Sequence, residues 1–228
     1  MPVDLSQWTS RERPAREPME GRYVRLEPMD PTKHGDGLYA ASKTDDADQR
    51  FRWLHDQVPD DRETFQSWLE KTATSTDPLH FVVIDKASDR ISGRQALMRI
   101  DAANGVIEIG SILWNPPVAR MPAATEALYL FGRYAMDDLG YRRFEWKCNA
   151  ENEPSRRAAL RFGFQFEGIF RNHMVVKGKN RDTAWFSITD GEWPLARRAF
   201  EEWLDPANFD SDGRQRKRLE EIRDELAA

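Results

Sequence analysis

A few side chains sit where their chemistry would be unusual. Glu108 stands in the run Val106-Ile107-Glu108-Ile109-Gly110-Ser111-Ile112-Leu113-Trp114, which is otherwise almost wholly apolar. A carboxylate there either loses solvation, which raises its pKa and suits it to act as a general base, or pairs with an arginine. His173 carries an imidazole that titrates near neutral pH, as a second candidate base or as an ordinary exposed hairpin histidine. Asp182, in Arg181-Asp182-Thr183, is a third acid, and hydrogen bonds that fix its hairpin are its simpler use. Ser155 follows Asn152-Glu153-Pro154, where an asparagine caps a helix well and a hydroxyl on the first turn either caps or reaches a ligand. Cys148 is the one cysteine, and at the end of a strand it reads as a small apolar filler rather than a nucleophile. No second thiol or clustered histidine accompanies it, so no metal is expected.

These residues belong to a strand, helix, strand, helix, strand unit over 105–171 that organises the chain. The first strand, 105–114, is rich in β-branched residues and is stopped by Asn115-Pro116-Pro117. Pro122 suits a first helical position, apolar residues recur at helical spacing over 123–139, and Gly140 closes that helix. A strand over 143–148 alternates in character, 149–154 turns, 155–162 forms a short helix ended by Gly163, and 164–171 returns as a strand. Before this unit, the pattern predicts a strand over 20–28, a helix after Asp30-Pro31, a helix over 61–73 and a hairpin of 79–85 with 91–100. After it come a hairpin of 173–177 with 183–188, a helix from Trp193 to near Leu204, a linker over 206–213 and a solvated helix over 214–226. The crossover through the 123–139 helix demands one parallel strand contact. The fold class is therefore α+β, with a mostly antiparallel central sheet of about seven strands flanked by helices.

Composition bounds the setting. The chain has 228 residues, 39% hydrophobic and 32% charged, which suits one globular domain with extensions. A division into an arm over 1–20, a domain over 21–193 and a helical extension over 194–228 follows. A net charge of −5 argues against a nucleic-acid partner. No apolar run approaches the ~20 residues of a membrane span. With no apolar leader at the start and one cysteine, a cytoplasmic location is expected.

In order and spacing these pieces resemble the GNAT superfamily of acyl-CoA-dependent N-acetyltransferases, and within it the RimJ/RimL-like branch. The resemblance rests on Ile107-Glu108-Ile109-Gly110, Thr125-Glu126-Ala127, Asn149 with Asn152-Glu153-Pro154-Ser155-Arg156, and Phe162-Gly163-Phe164. It continues through Phe166-Glu167-Gly168-Ile169-Phe170-Arg171, Arg181-Asp182-Thr183 and Trp193, and so covers 21–193. It implies acetyl-CoA as co-substrate and an amine acceptor, with the pyrophosphate at the start of the 123–139 helix, where free N–H groups and the helix dipole favour an anion. Family members usually place a glycine-rich loop there. Here the stretch Ala119-Arg120-Met121-Pro122-Ala123-Ala124 has no glycine, leaving Arg120, Met121, Ala123, Ala124 and Thr125 as the phosphate-side residues.

The resemblance further implies that Asn149 and Asn152 meet the pantetheine arm, that Ile112 and Leu113 lend backbone groups to the thioester, and that Ser155 faces the leaving thiolate. The amine must lose a proton before it attacks, for which Glu108 and then His173 are the candidates. Phe51, Trp53, Leu54 and His55, with Trp114 and Trp185, either wall the amine site or belong to the core. The acidic 45–61 segment either attracts a cationic acceptor or is an ordinary solvated loop. The competing expectation is a non-catalytic acyl-CoA sensor on the same fold, and a homodimer is compatible with either.

Overall fold

Residues 4–115 and 121–228 are described by the structure, a computed structural model of the chain; Arg120 lies outside them. One sheet of eight strands runs in the order β1-β2-β3-β4-β5-β6-β8-β7. In chain order the elements are β1 (Met19–Glu20), β2 (Val24–Pro28), α1 (Pro31–Ser42), α2 (Ala47–Phe51), α3 (Arg62–Thr74), β3 (Leu79–Asp85), β4 (Arg90–Asp101) and β5 (Val106–Trp114). They continue with α4 (Pro122–Arg133), β6 (Arg143–Asn149), α5 (Glu153–Arg161), β7 (Gln165–Val176), β8 (Lys179–Thr189), α6 (Trp193–Trp203) and α7 (Leu219–Ala227). All described pairings are antiparallel except β5 with β6, the contact that the α4 crossover requires.

Local chemistry sets the element ends. Asp30 accepts from the Thr32 and Lys33 amides to start α1, Asp61 accepts from the Thr64 amide at 2.7 Å to start α3, and Asn152 accepts from the Ser155 amide to start α5. The helix expected over 123–139 is α-helical only to Arg133. Tyr134–Asp138 form a π-turn, closed by the Leu139 amide donating to the Tyr134 carbonyl.

Alternation along β3 divides the core. Phe81 and Val83 join Ile107, Ile109, Phe144 and Trp146 beneath α4 and α6, whereas Val82 and Ile84 pack under α1 and α3 with Leu38, Phe65 and Leu69.

Four further sequence expectations change. The strand expected over 20–28 is two, because Met19 pairs with Leu26 in a tight hairpin, and this supplies the eighth strand. The runs 164–171 and 173–177 are one strand, β7, whose register shifts between Phe166 and Gly168 and again between Phe170 and Met174. The chain reverses at Lys177 and Gly178, both at positive φ, so β8 begins at Lys179, within the stretch expected to be the turn. The helix expected as solvated over 214–226 is confined to Leu219–Ala227 and is amphipathic. Leu219 and Ile222 are buried, each worth roughly 1.5–3 kcal/mol, and the helix packs on α6.

On β2, Glu27 is buried and surrounded by Arg25, Lys33 and His34. His34 Nδ1 accepts from the Asp30 amide at 3.0 Å, so Nε2 carries the proton and donates to Glu27 Oε2 at 3.0 Å. Burial by itself would raise the Glu27 pKa, but hydrogen bonds from Lys33, Arg25 and His34 outweigh it and bring the value down to about 2. A depressed folded-state pKa contributes stability that is present above the ordinary value of 4.5 and is lost as the pH falls through about 2. Glu27→Ala should cost roughly 1–3 kcal/mol at pH 7 in urea unfolding, largely by orphaning the buried His34 N–H. The difference from wild type should shrink on acidification below pH 4.5; a constant difference down to pH 2 would refute this account.

Candidate active site

β5 and β6 stay paired only from Val106↔Arg143 to Ile109↔Trp146. Beyond that point β5 follows β4, β6 follows β8, and the two diverge. A bulge fixes the divergence. The β4–β5 register jumps from Ala96↔Gly110 to Arg94↔Leu113, so neither Ser111 nor Ile112 has a ladder partner, and Ser111 sits at φ +51°. That strained conformation is held from both sides. Arg94 Nη1 donates to the Ser111 carbonyl at 3.2 Å and to its hydroxyl, and His80 Nε2 lies 3.2 Å from the same hydroxyl.

The gap opens into a cavity of about 430 Å³ that reaches both faces of the sheet. On the α4–α5 side lie Ile112, Trp146, Cys148, Asn149, Asn152 and Ser155. Ser155 is half-buried, and its Oγ accepts a hydrogen bond from Trp146 Nε1 at 3.0 Å. The serine proton is thereby left to donate, and the acquired bond makes it a better donor. Burial, its largest influence, pushes the Cys148 thiol pKa up despite an opposing contact from Ser155, so this cysteine stays a neutral lining group.

On the other side lie Glu108, Met98, Arg99, Lys147, His173, Arg181, Trp68, His80 and the 53–56 segment. Lys147 Nζ bonds Glu108 Oε2 at 2.9 Å, also pairs with Glu145, and rests 3.9 Å over the Trp185 ring. Arg99 Nε reaches the same Glu108 Oε2 at 3.2 Å. Both cations thus use one oxygen, and Oε1 has no partner among the described residues. Burial raises the Glu108 pKa against the pull of Lys147 and Arg99. His173 Nδ1 meets Thr183 Oγ1 at 2.9 Å, and burial followed by Arg99, Arg181 and Lys147 lowers its pKa, which keeps it neutral. His80 is pushed down to about 4, chiefly by burial and then by Arg94.

A roof closes this side. Arg94 Nη2 binds Asp56, Lys177 Nζ donates to the Phe51 carbonyl at 2.9 Å, and Arg181 Nη1 donates to His55 Nε2 at 3.0 Å. Because an arginine cannot accept, His55 is neutral, with its proton on Nδ1.

The structure therefore brings together Glu108, Ile112, Asn149, Asn152, Ser155 and His173 of the expected site. Leu113, Met121, Ala123, Ala124 and Thr125 do not line this cavity. Leu113 is buried opposite Arg94 in the ladder, while the other four form the start of α4, where no side chain caps the first turn. Thr125 Oγ1 there accepts from Arg161 Nη1 at 3.1 Å, and Arg161 makes no ion pair among the described residues, Glu220 acting on it only at longer range. Trp53, Leu54 and His55 wall the cavity, whereas Phe51 is core and Trp114 donates to Gln95 from its indole. Asp182 accepts from the Asn172 amide and the Asn180 side chain, a hairpin brace. Of the acidic 45–61 segment, Asp56 is turned inward to Arg94. Sequence reasoning missed Trp146, Lys147, Arg94 and Arg181. Alternation could have placed Lys147 beside Glu108 on one sheet face, but the bulges hid the other partners.

Against known proteins, the sequence profile of a family described as an acetyltransferase (GNAT) domain matches residues 24–165. A crystal structure of a GCN5-related N-acetyltransferase from Brucella melitensis is 63% identical, superposes with a TM-score of 0.95, and is matched over 96% of this chain and 100% of that one. A probable acetyltransferase of the GNAT family from Chromobacterium violaceum is 39% identical at a TM-score of 0.78, over 85% of this chain and 96% of that one. An uncharacterized N-acetyltransferase p20 from Bacillus licheniformis is 32% identical over 113 residues, half of this chain, and the match spans 63% of that protein's length.

The Lys147 network yields a stability test. Lys147→Met removes the cation between two buried carboxylates, Glu108 and Glu145. It should cost about 3–5 kcal/mol in chemical denaturation near neutral pH. The deficit should narrow on acidification, as Glu108, whose pKa burial raises, takes up a proton.

Proposed function

This chain belongs to the GNAT acetyltransferase family, and from that premise we propose that it transfers acetyl from acetyl-CoA to a primary amine by direct attack on the thioester. The observation that carries the reading is the two-sided cavity at the β5–β6 divergence, with a hydrogen-bonded serine on one side and a half-free carboxylate on the other.

Acetyl-CoA supplies the activated acyl group. On this reading its pantetheine arm runs past Asn149 and Asn152 on the α5 side, and its phosphates meet the uncapped start of α4, where Ala123 offers an amide and Arg161 and Arg120 offer charge. The side chains present fit such a ligand, since the α4 start has no side-chain cap and Arg161 makes no ion pair among the described residues.

Glu108 Oε1 takes the proton from the incoming ammonium, directly or through a water, and burial raises its pKa in the direction that makes it a stronger base. The amine then forms the C–N bond as the C–S bond breaks. Backbone donors in the unpaired Ser111–Ile112 bulge stabilise charge gathering on the carbonyl oxygen. Ser155, polarised by Trp146, gives its hydrogen bond or proton to the departing thiolate. His173, neutral and bonded to Thr183, is the reserve base and a wall of the acceptor side. We assign the finer placement to the RimJ/RimL-like branch on the motifs around Asn152 and Arg181-Asp182-Thr183. Protein N-terminal amines and small amines both fall within that assignment, and the roof over residues 53–56 favours the small ones.

Calorimetry with acetyl-CoA, followed by thiol release over an amine panel, tests the transferase. Micromolar binding without thiol release from any amine would instead establish a sensor. Ser155→Ala should lower kcat about 10- to 100-fold while acetyl-CoA affinity changes little. Glu108→Gln should lower kcat/KM at neutral pH and abolish the wild-type decline seen as the pH falls through the raised Glu108 pKa. An unchanged acid limb in that variant would remove Glu108 from the mechanism.

A further inference from the structure

Among the charged groups on the acceptor side of the cavity, all but one are matched. Asp56 pairs with Arg94, and Glu108 and Glu145 pair with Lys147 and Arg99. Arg181 is the exception. It is 9% exposed, lines the cavity, and has no carboxylate within ion-pair distance among the described residues. Its one hydrogen bond goes from Nη1 to neutral His55, Nε is buried without a partner, and Nη2 makes no hydrogen bond to a described residue. Nη2, which unlike Nε is not sealed off, is the group left over to donate a charge-assisted hydrogen bond to a carboxylate in the cavity. His80 Nδ1, on the same cavity, is likewise buried without a partner.

An unpaired buried guanidinium costs stability, and a fold keeps such a group where a ligand completes it. The pantetheine arm and the acetyl group carry no charge, so the donor offers nothing for Arg181. The acceptor must. Apolar surface from Trp53, Leu54, Trp68, Met98 and Met174 covers the same side of the cavity. We propose that the acceptor is an aminocarboxylate with an apolar side chain, whose carboxylate docks on Arg181 while its amine faces Glu108. This inference rests on the transferase reading above. Arg181 is a binding and orienting residue in it, and the chemical step is unchanged. Charge balance also holds: the acceptor enters as a zwitterion of no net charge, its carboxylate set against Arg181 and its ammonium proton passing to Glu108 within the site.

The test is a panel of L-amino acids assayed with acetyl-CoA beside their C-terminal amides and their decarboxylated amines, by thiol release and by mass of the product. At least one apolar amino acid should be acetylated with kcat/KM about 10- to 100-fold above its amide and its decarboxylated amine. Arg181→Gln and Arg181→Lys should collapse that ratio toward one, chiefly through KM for the acid, with acetyl-CoA affinity by calorimetry changed less than threefold. A folding defect in either variant leaves the acid-to-amide ratio of the wild type as the deciding number. Amides or peptides acetylated as well as the free acids would overturn the inference while leaving the transferase standing. So would a preference for succinyl-CoA over acetyl-CoA with an uncharged amine, because the carboxylate would then come from the donor. No acetylation of any amine, together with no acetyl-CoA binding, would sink both readings.

Discussion

The parting of β5 and β6 after Ile109 and Trp146 is the constraint on which the rest depends. Two parallel strands at the centre of a sheet would ordinarily keep pairing, since every buried amide and carbonyl needs a partner. Here a two-residue bulge at Ser111 and Ile112 turns β5 away, and its positive φ is tolerated because Arg94 and His80 hold the serine. Arg94 in turn holds Asp56, so one buried guanidinium fixes both the floor of the gap and the roof above it. A passage from one face of the sheet to the other follows. On the proposed reading, that geometry would let an acyl donor and an acceptor approach one carbon from opposite sides without sharing an entrance.

Burying this many charges is costly, and the arrangement shows how the cost is contained. Arg143 spans Glu145 and Glu167, Lys147 spans Glu145 and Glu108, and Arg99 adds a second cation to Glu108 at the cavity edge. Alternating signs along one face of β5 and β6 give each buried carboxylate a cation in place of solvent. The pattern is polar at its core yet leaves Glu108 Oε1 open toward the cavity. Had both oxygens been bonded, Glu108 would be a structural anion only. Had neither cation been present, burial would keep it protonated and useless as a base.

Much of this was legible in the residues. The unit over 105–171, the Asn152 cap, the parallel contact and the odd placement of Glu108 all follow from periodicity and capping chemistry. What was not legible shares one cause. Bulges break the period of two, and a strand's faces after a bulge cannot be counted from its start. Asn172 at φ +50° hid the continuity of β7, and the expected hairpin was given too long a turn, which put Arg181 in that turn rather than on β8 over the cavity. Trp146 escaped for another reason. Its apolar body belongs in the core, so nothing in its spacing announced that its indole N–H would reach Ser155. The C-terminal run misled because its many charges outnumber the two residues, Leu219 and Ile222, that bury it.

The glycine-free start of α4 is the largest departure from the pattern the sequence otherwise resembles, and the structure shows why it need not abolish an anion site. Glycines in such a loop let a phosphate approach the backbone where a side chain would intrude. At Ala123 and Ala124 the residues are buried in the hydrophobic core, so their methyl groups take little of the helix mouth. Pro122 gives up an amide that the first turn would leave unbonded in any case. Met121 caps with no side-chain bond, which leaves the positive end of the helix dipole uncompensated, and Arg161 stands beside it, hydrogen-bonded to Thr125. On the proposed reading, charge from a neighbouring helix takes the part that close backbone approach takes in a glycine-rich loop. The expected consequence is phosphate binding with a steeper dependence on salt, because a larger share of it comes from a side-chain cation.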